Sequence, residues 1–195
     1  MDGKPQNKVE LDSVIVTAQL NQRAFRAPDL QAENALIVNL VAEMAKSPED
    51  IFHRLTETVL KLCDAQSAGI SLLDKEHKGF YWPAIAGQWK PYIGGGTPRD
   101  FGPCGTVLDR NATLLFSHPE RHFNYLAAAS PAIEEGLLAP FYINGKAVGT
   151  IWVIAHDAEH QFDAEDARAL ESLSKFTSAA YKTLTDIGAF NNQLH

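Results

Sequence analysis

The chain is poor in cysteine. Cys63 and Cys104 are the only two in 195 residues, so one disulfide at most is available. The N-terminus, Met1-Asp2-Gly3-Lys4-Pro5, is polar and lacks a secretory signal, so free thiols in a reducing cytosol are expected. No uninterrupted apolar run approaches the ~20 residues that a membrane span needs. Positive charge is also short: 17 Lys and Arg against 24 Asp and Glu give a net charge of -7, with no basic run. That balance argues against nucleic-acid phosphate as the main partner. Internal repeats and low-complexity tracts are absent. What is present is ordinary for a globular protein, 45% hydrophobic and 21% charged, and the length suits one domain with extensions.

Three segments are expected: a leader over 1–28, a domain with its flanking helices over 29–187, and a tail over 188–195. In the leader, Val14-Ile15-Val16 reads as a short strand or a helical turn, and Arg26-Ala27-Pro28 as a break. The leader is expected to dock on another surface, a second copy being one option. From Asp29 to Lys46, Leu30, Ile37, Leu40, Val41 and Met44 recur at helical spacing. Ser47-Pro48-Glu49-Asp50 then offers an N-cap, a proline at the first helical position and first-turn acids. The helix they open reaches Cys63, with Ile51, Leu55, Val59 and Leu62 on one stripe.

Ala68 to Asp74 reads as a strand, and Phe80 to Ile85 as the next. Pro83 there implies an edge or a bulge. Gly94-Gly95-Gly96 is expected to be a flexible hinge, followed by a short helix over Thr106 to Asp109. Thr113 to Phe116 reads as a strand, His118 to Ser130 as a loop with some helix, and Pro131 to Glu135 as a helical turn. Leu137–Ile143 and Ala147–Ala155 are β-rich runs around Asn144-Gly145, which tolerates the positive φ of a two-residue hairpin. Asp163 caps a last helix, with Asp166 at the third helical position and Phe162 as a staple. Leu170, Leu173, Phe176, Ala180, Leu184 and Ile187 line one of its faces.

This order predicts an α+β domain: a central five- or six-stranded antiparallel sheet, with the N- and C-terminal helices on one face and loops and short helices over the other. The set of segments resembles the GAF domain of bacterial sensor histidine kinases and related two-component signalling proteins. The resemblance rests on Ser67-Ala68-Gly69-Ile70-Ser71-Leu72-Leu73, Phe80-x-Trp82-x-Ala84-x-x-Gly87 and Pro98-Arg99-Asp100-x-x-Pro103-Cys104-Gly105. It continues in Pro119-Glu120-Arg121-x-Phe123, in Pro140-Phe141 with Gly145 to Trp152, and in His156-Asp157 with Phe162 to Arg168. Arg26-Ala27-Pro28-Asp29 resembles the segment that precedes the domain in some sensor kinases.

The resemblance implies a non-catalytic sensor module, a small-molecule ligand and a homodimer through the terminal helices. It also implies a histidine kinase or response-regulator partner, or a fused output domain. Neither a His-bearing dimerisation helix pair nor a Gly-rich ATP-binding segment follows Leu184, so a stand-alone sensor or one domain of a longer protein is expected. The ligand stays open, because GAF domains bind cyclic nucleotides, bilins, haem-type cofactors and other small molecules. Bilin attachment typically uses a cysteine followed by histidine, whereas Gly105 follows Cys104 and Asp64 follows Cys63. A GAF-fold enzyme that reduces free methionine sulfoxide uses several loop cysteines, and here Cys104 stands alone.

The candidate ligand-binding residues are Trp82, Arg99, Asp100, Phe101, Cys104, Phe123, Phe141, Thr150 and Trp152. Alternation puts Thr150, Trp152, Ile154 and His156 on one strand face, with Phe80, Trp82 and Ala84 together on another. Arg99, beside Asp100, and Arg121 in the second excursion offer handles for an anionic ligand, or Arg99 only pins the loops by pairing with Asp100, Asp109 or Glu120. Cys104 at a helix start offers a stabilised thiolate or a snug helix entry. His118 and His122 are four apart, but prolines make that stretch a loop rather than a metal site. No catalytic residue and no metal site are assigned, and the cofactor is left unknown. Two alternatives remain: a ligand-free dimerisation module whose large aromatics fill the cavity, and a thiol-based redox sensor or reductase using Cys104.

Overall fold

The computed structural model describes residues 9–24 and 26–188. The ends of the leader and of the tail lie outside the described residues. Six strands form one sheet: β1 (Ser67–Leu73), β2 (Gly79–Gly87), β3 (Gly96–Pro98), β4 (Leu114–Ser117), β5 (Glu135–Ile143) and β6 (Lys146–Ala155). Their order is β3-β2-β1-β6-β5-β4, and every neighbouring pair is antiparallel. Helices α1 (Leu30–Lys46), α2 (Ile51–Leu62) and α4 (Ala164–Asp186) cover one face, and α3 (Pro103–Arg110) lies in the excursion over the other. The α+β architecture and the division of the two faces match the sequence expectation.

Local chemistry sets the elements. Asn144 and Gly145 take φ of 51° and 76°, closing a two-residue turn in which Ile143 pairs with Lys146. Asp163 accepts from the backbone of Glu165 and Asp166, and the Asp166 side chain accepts from Asp163 N–H, a complete capping box. Asp29 caps α1 by accepting from Ala32 N–H. Ser47 makes no such bond, so Pro48–Asp50 enters α2 as a single 3₁₀ turn.

Two hydrophobic clusters lie on opposite faces of the sheet. Under the helices, Leu55, Val59, Ile70, Leu137, Ile151, Val153, Leu170 and Leu173 form the larger one. Helix α1 contributes chiefly Leu40, with Ile37 and Met44 at its margin, while Leu30 and Val41 of its expected stripe stay exposed. Ile187 is likewise exposed rather than packed. On the other face, Phe80, Trp82, Trp89, Phe116, Phe123, Leu138, Trp152 and Ile154 form the second cluster.

Four local expectations change. Ala84 packs under the helices, not beside Trp82. Ile70 pairs with Ala84 but Leu72 with Tyr81, so Trp82 and Pro83 together oppose one residue, and this bulge flips the alternation. The triple glycine is not a hinge. Trp82 N–H donates to Gly95 O (2.9 Å), Gly94 N–H donates to Trp82 O (3.0 Å), and Gly96 opens the edge strand β3. A Cβ on Gly96 would lie 1.8 Å from Phe80 O, which explains the glycine. Residues 131–134 form no helical turn. Finally, the described leader docks on its own domain. Ile15 bridges to Phe116 and extends the sheet past β4, and Arg23 clamps Glu135 through Nη1 (2.9 Å) and Nη2 (2.5 Å).

Candidate functional site

The site is built around the three tryptophans of the chain, Trp82, Trp89 and Trp152, each pair with ring centroids 6.1 Å apart. Trp152 arrives on β6 and lies against Gly69 of β1, where only a missing side chain leaves room. Its indole N–H donates to Ser71 Oγ (2.9 Å). Trp82 sits in the β2 bulge. Trp89 follows the end of β2, where its backbone N–H donates to Ser67 Oγ (3.0 Å) and its indole N–H to Pro131 O (2.9 Å).

His156 secures this corner. Its Nδ1 lies 2.7 Å from Ala132 O, and its Nε2 lies 2.7 Å from Ser67 Oγ. A carbonyl can only accept, so Nδ1 carries the proton and Nε2 accepts from the serine hydroxyl. Burial holds the imidazole below its ordinary pKa, opposed by the Ala132 bond and by Asp157.

The rings enclose a cavity of about 40 Å³, whose further walls include Thr97, Cys104, Leu126, Ile133, Leu138 and Ile154. An outer pocket of about 280 Å³ shares Trp82, Trp89 and Leu126 with it and reaches the surface past Gly95, Gly96 and Ala128. Neither set of walls contains Asp, Glu, Lys, Arg or His. Its roof is latched. Tyr92 Oη donates to Ser130 O (3.1 Å) and accepts from Ser130 N–H (2.9 Å), tying the turn Lys90–Tyr92 to the end of the second excursion.

Cys104, in the first turn of α3, is buried, and Ser71 Oγ accepts from its thiol at 3.3 Å. Burial pushes the thiol pKa up, and the Ser71, Thr150 and Thr97 hydroxyls only partly offset that. Of the two readings of Cys104, burial therefore favours the snug helix entry over the stabilised thiolate: desolvation outweighs the short helix's dipole. Cys63, at the end of α2, lies on the opposite face, its pKa raised by burial and by Asp166.

The candidate residues separate into five groups. Trp82, Cys104 and Trp152 line the cavity, and Thr150 lies buried beside Cys104. Phe123 is buried on the cavity side against Phe116 and Phe101, behind the walls. Phe101 packs on His122 and Tyr125 at the margin. Arg99 pairs with Asp109 (2.5 Å) and donates to Gly105 O (3.3 Å), so it pins α3, while Asp100 is exposed. Phe141 is not at the site. It faces the helices and meets Tyr181 edge-on at 5.9 Å. Trp89, Thr97 and Leu126 are wall residues that the sequence reading missed. For Trp89 a cue existed: an aromatic set in a polar loop just after a strand.

A GAF domain family model matches residues 45–180, well over half of the chain. The chain belongs to the GAF domain family. Solved structures agree in fold. The GAF domain of an Acinetobacter phosphoenolpyruvate-protein phosphotransferase superposes with a TM-score of 0.68 at 18% identity, covering 83% of this chain and 98% of that one. A free methionine-R-sulfoxide reductase from Neisseria meningitidis, solved with its substrate, gives 0.67 at 17% identity, covering 84% and 97%. The second GAF domain of DevS from Mycobacterium smegmatis gives 0.60 at 12%, covering 73% and 99%. At these identities the likeness concerns the fold alone. No curated protein sequence matches the chain. Among the described residues, no helix is long and apolar enough to cross a membrane, and no three His, Cys, Asp or Glu side chains group as a metal site.

Proposed function

We propose that this GAF domain is a non-catalytic cytoplasmic sensor that binds a small molecule under the tryptophan trio. Its output passes through the helical face to a two-component partner or a fused output domain. The observation that carries the reading is the lining of the cavity: aromatic walls that also seal unpartnered hydrogen-bonding groups from solvent. Occupancy would require Leu126 and the latched roof to move, and that motion is the signal. The dimer reading rests on α1, which leaves Leu30, Val38 and Val41 exposed on its outer side.

The competing scaffold reading is favoured by the cavity's small closed volume, about 40 Å³. The reductase reading would need a second thiol near Cys104, and Cys63 lies across the sheet. Native mass spectrometry of the protein purified from its own cells tests the proposal. A dimer carrying a non-covalent small-molecule mass supports it. A ligand-free species that takes up no compound from a metabolite extract refutes it.

A further inference from the structure

Five buried side-chain atoms among the described residues make no hydrogen bond of ordinary geometry in the protein: Trp82 Nε1, Thr97 Oγ1, Tyr125 Oη, Thr150 Oγ1 and Glu120 Oε2. The Thr97 and Thr150 hydroxyls have only a weak polar contact with the Cys104 thiol, and Tyr125 one with Thr97. Glu120 Oε2 belongs to a carboxylate whose other oxygen faces His118 at 3.5 Å. The other four converge on the site. Trp82 and Thr97 line the inner cavity, Tyr125 lines the outer pocket, and Thr150 lies against Cys104. An indole N–H can only donate, so it calls for an acceptor, while the three hydroxyls can donate or accept. Leaving such groups unpaired in a dry interior costs about 1–3 kcal/mol each, so their grouping at one cavity calls for an explanation.

The same walls contain no ionisable group except the Cys104 thiol and the Tyr92 and Tyr125 hydroxyls, and no imidazole, guanidinium, ammonium or carboxylate to balance a charge. A carboxylate or phosphate entering here would lose its hydration without a counter-ion, and an ammonium would gain only the indole faces, worth about 2 kcal/mol against a desolvation cost of several kcal/mol. The sequence-derived handles for an anion, Arg99 and Arg121, are not among these walls, the first already occupied by Asp109. Size sets a further limit. A dry apolar cavity of about 150 Å³ accepts benzene, so the closed cavity of about 40 Å³ is too small for one ring. Joined to the outer pocket of about 280 Å³ by displacement of Leu126, it has room for one flat ring against the indoles.

We propose that the ligand is a neutral molecule about the size of one ring, carrying a hydrogen-bond acceptor for Trp82 and a hydroxyl or carbonyl for Thr97 and Thr150. This deepens the sensor reading and rests on it. The class excludes cyclic nucleotides and carboxylate-bearing tetrapyrroles from this cavity.

The test is a titration of the full chain with four probes of matched shape: benzyl alcohol, toluene, benzoate and benzylammonium. Intrinsic fluorescence and calorimetry are read together, since every tryptophan borders the cavity. Benzyl alcohol is expected to shift the emission and to bind at least about tenfold more tightly than either ion. In Thr150→Val, and separately in Thr97→Val, the preference for benzyl alcohol over toluene is expected to fall about fivefold, the worth of one hydrogen bond. Both replacements keep the side-chain shape, so one folded variant suffices. Tighter binding of benzoate or benzylammonium, with the same emission shift, overturns the neutral class and leaves the cavity standing as a ligand site. No response to any probe, with a ligand-free mass spectrum, overturns both and leaves ordered water as the partner of those groups.

Discussion

Replacing Gly69 by alanine should be costly for a reason that only the packing of the tryptophans supplies. The strand there has ordinary negative φ, so alanine fits the backbone and would by itself stabilise by about 0.4–1 kcal/mol through the unfolded chain. Its Cβ, however, would lie 2.2 Å, 2.5 Å and 2.8 Å from three atoms of the Trp152 ring. Carbon contacts settle near ~3.5 Å, so the ring must retreat by more than about 1 Å. It is backed by Trp82 and Trp89 at 6.1 Å and tied to Ser71 by its N–H at 2.9 Å. Overpacking at about 1–3 kcal/mol and the lost hydrogen bond at about 1 kcal/mol, less the gain through the unfolded chain, give a net destabilisation of about 1–3.5 kcal/mol. Trp152→Phe removes the ring that is struck. The double variant should therefore be more stable than the sum of the singles by at least about 1 kcal/mol in urea unfolding followed by far-UV circular dichroism. Additivity within about 0.5 kcal/mol would refute the placement of Trp152 over Gly69.

Phe141→Ala should cost about 3–5 kcal/mol, because Phe141 is fully buried under the helices, yet leave benzyl alcohol affinity in folded protein unchanged. A selective loss of affinity would contradict its placement. Arg23→Ala leaves Glu135 buried without its partner, which should cost about 3–5 kcal/mol and expose the leader to limited proteolysis; a change under about 0.5 kcal/mol would refute the clamp. His156 has a lowered pKa in the fold, so below the unfolded value near 6.5 the unfolded chain binds more protons and stability falls as pH falls. His160 is shifted upward and acts in the opposite sense. The readout is therefore the difference between wild type and His156→Gln, which should shrink as the pH falls from 7 toward 5. A constant difference would contradict the neutral imidazole.

Much of the fold was legible because several sequence levels agree. Asn144-Gly145 sets a turn, Asp163 and Asp166 set a helix start, and period-2 alternation in β6 separates Thr150, Trp152, Ile154 and His156 from Ile151, Val153 and Ala155. Two misplacements arise at bulges: Pro83 marked the one in β2 without showing which way the alternation would turn, and nothing in the sequence marked the one in β5. Counting back from the hairpin without interruption, Phe141 would oppose Val148. The register shift between Phe141 and Tyr142 makes it oppose Gly149 instead, and it turns to the helices. The same physics displaces Ala84. Arg99 could not be assigned between ligand and loop until Asp109 was seen 2.5 Å away. Cys104 illustrates a competition of magnitudes: the sequence shows a helix start, but only the fold shows that burial prevails.

The most direct test of the central claim is a crystal structure of the protein purified from its own cells, with no ligand added and the density inspected between Trp82, Trp89 and Trp152. The account predicts continuous density for a small molecule within hydrogen-bonding distance of Trp82 Nε1 and at least one of the Thr97 and Thr150 hydroxyls, with Leu126 displaced. Closed indoles over isolated water peaks, in a crystal that also fails to bind benzyl alcohol on soaking, would contradict it.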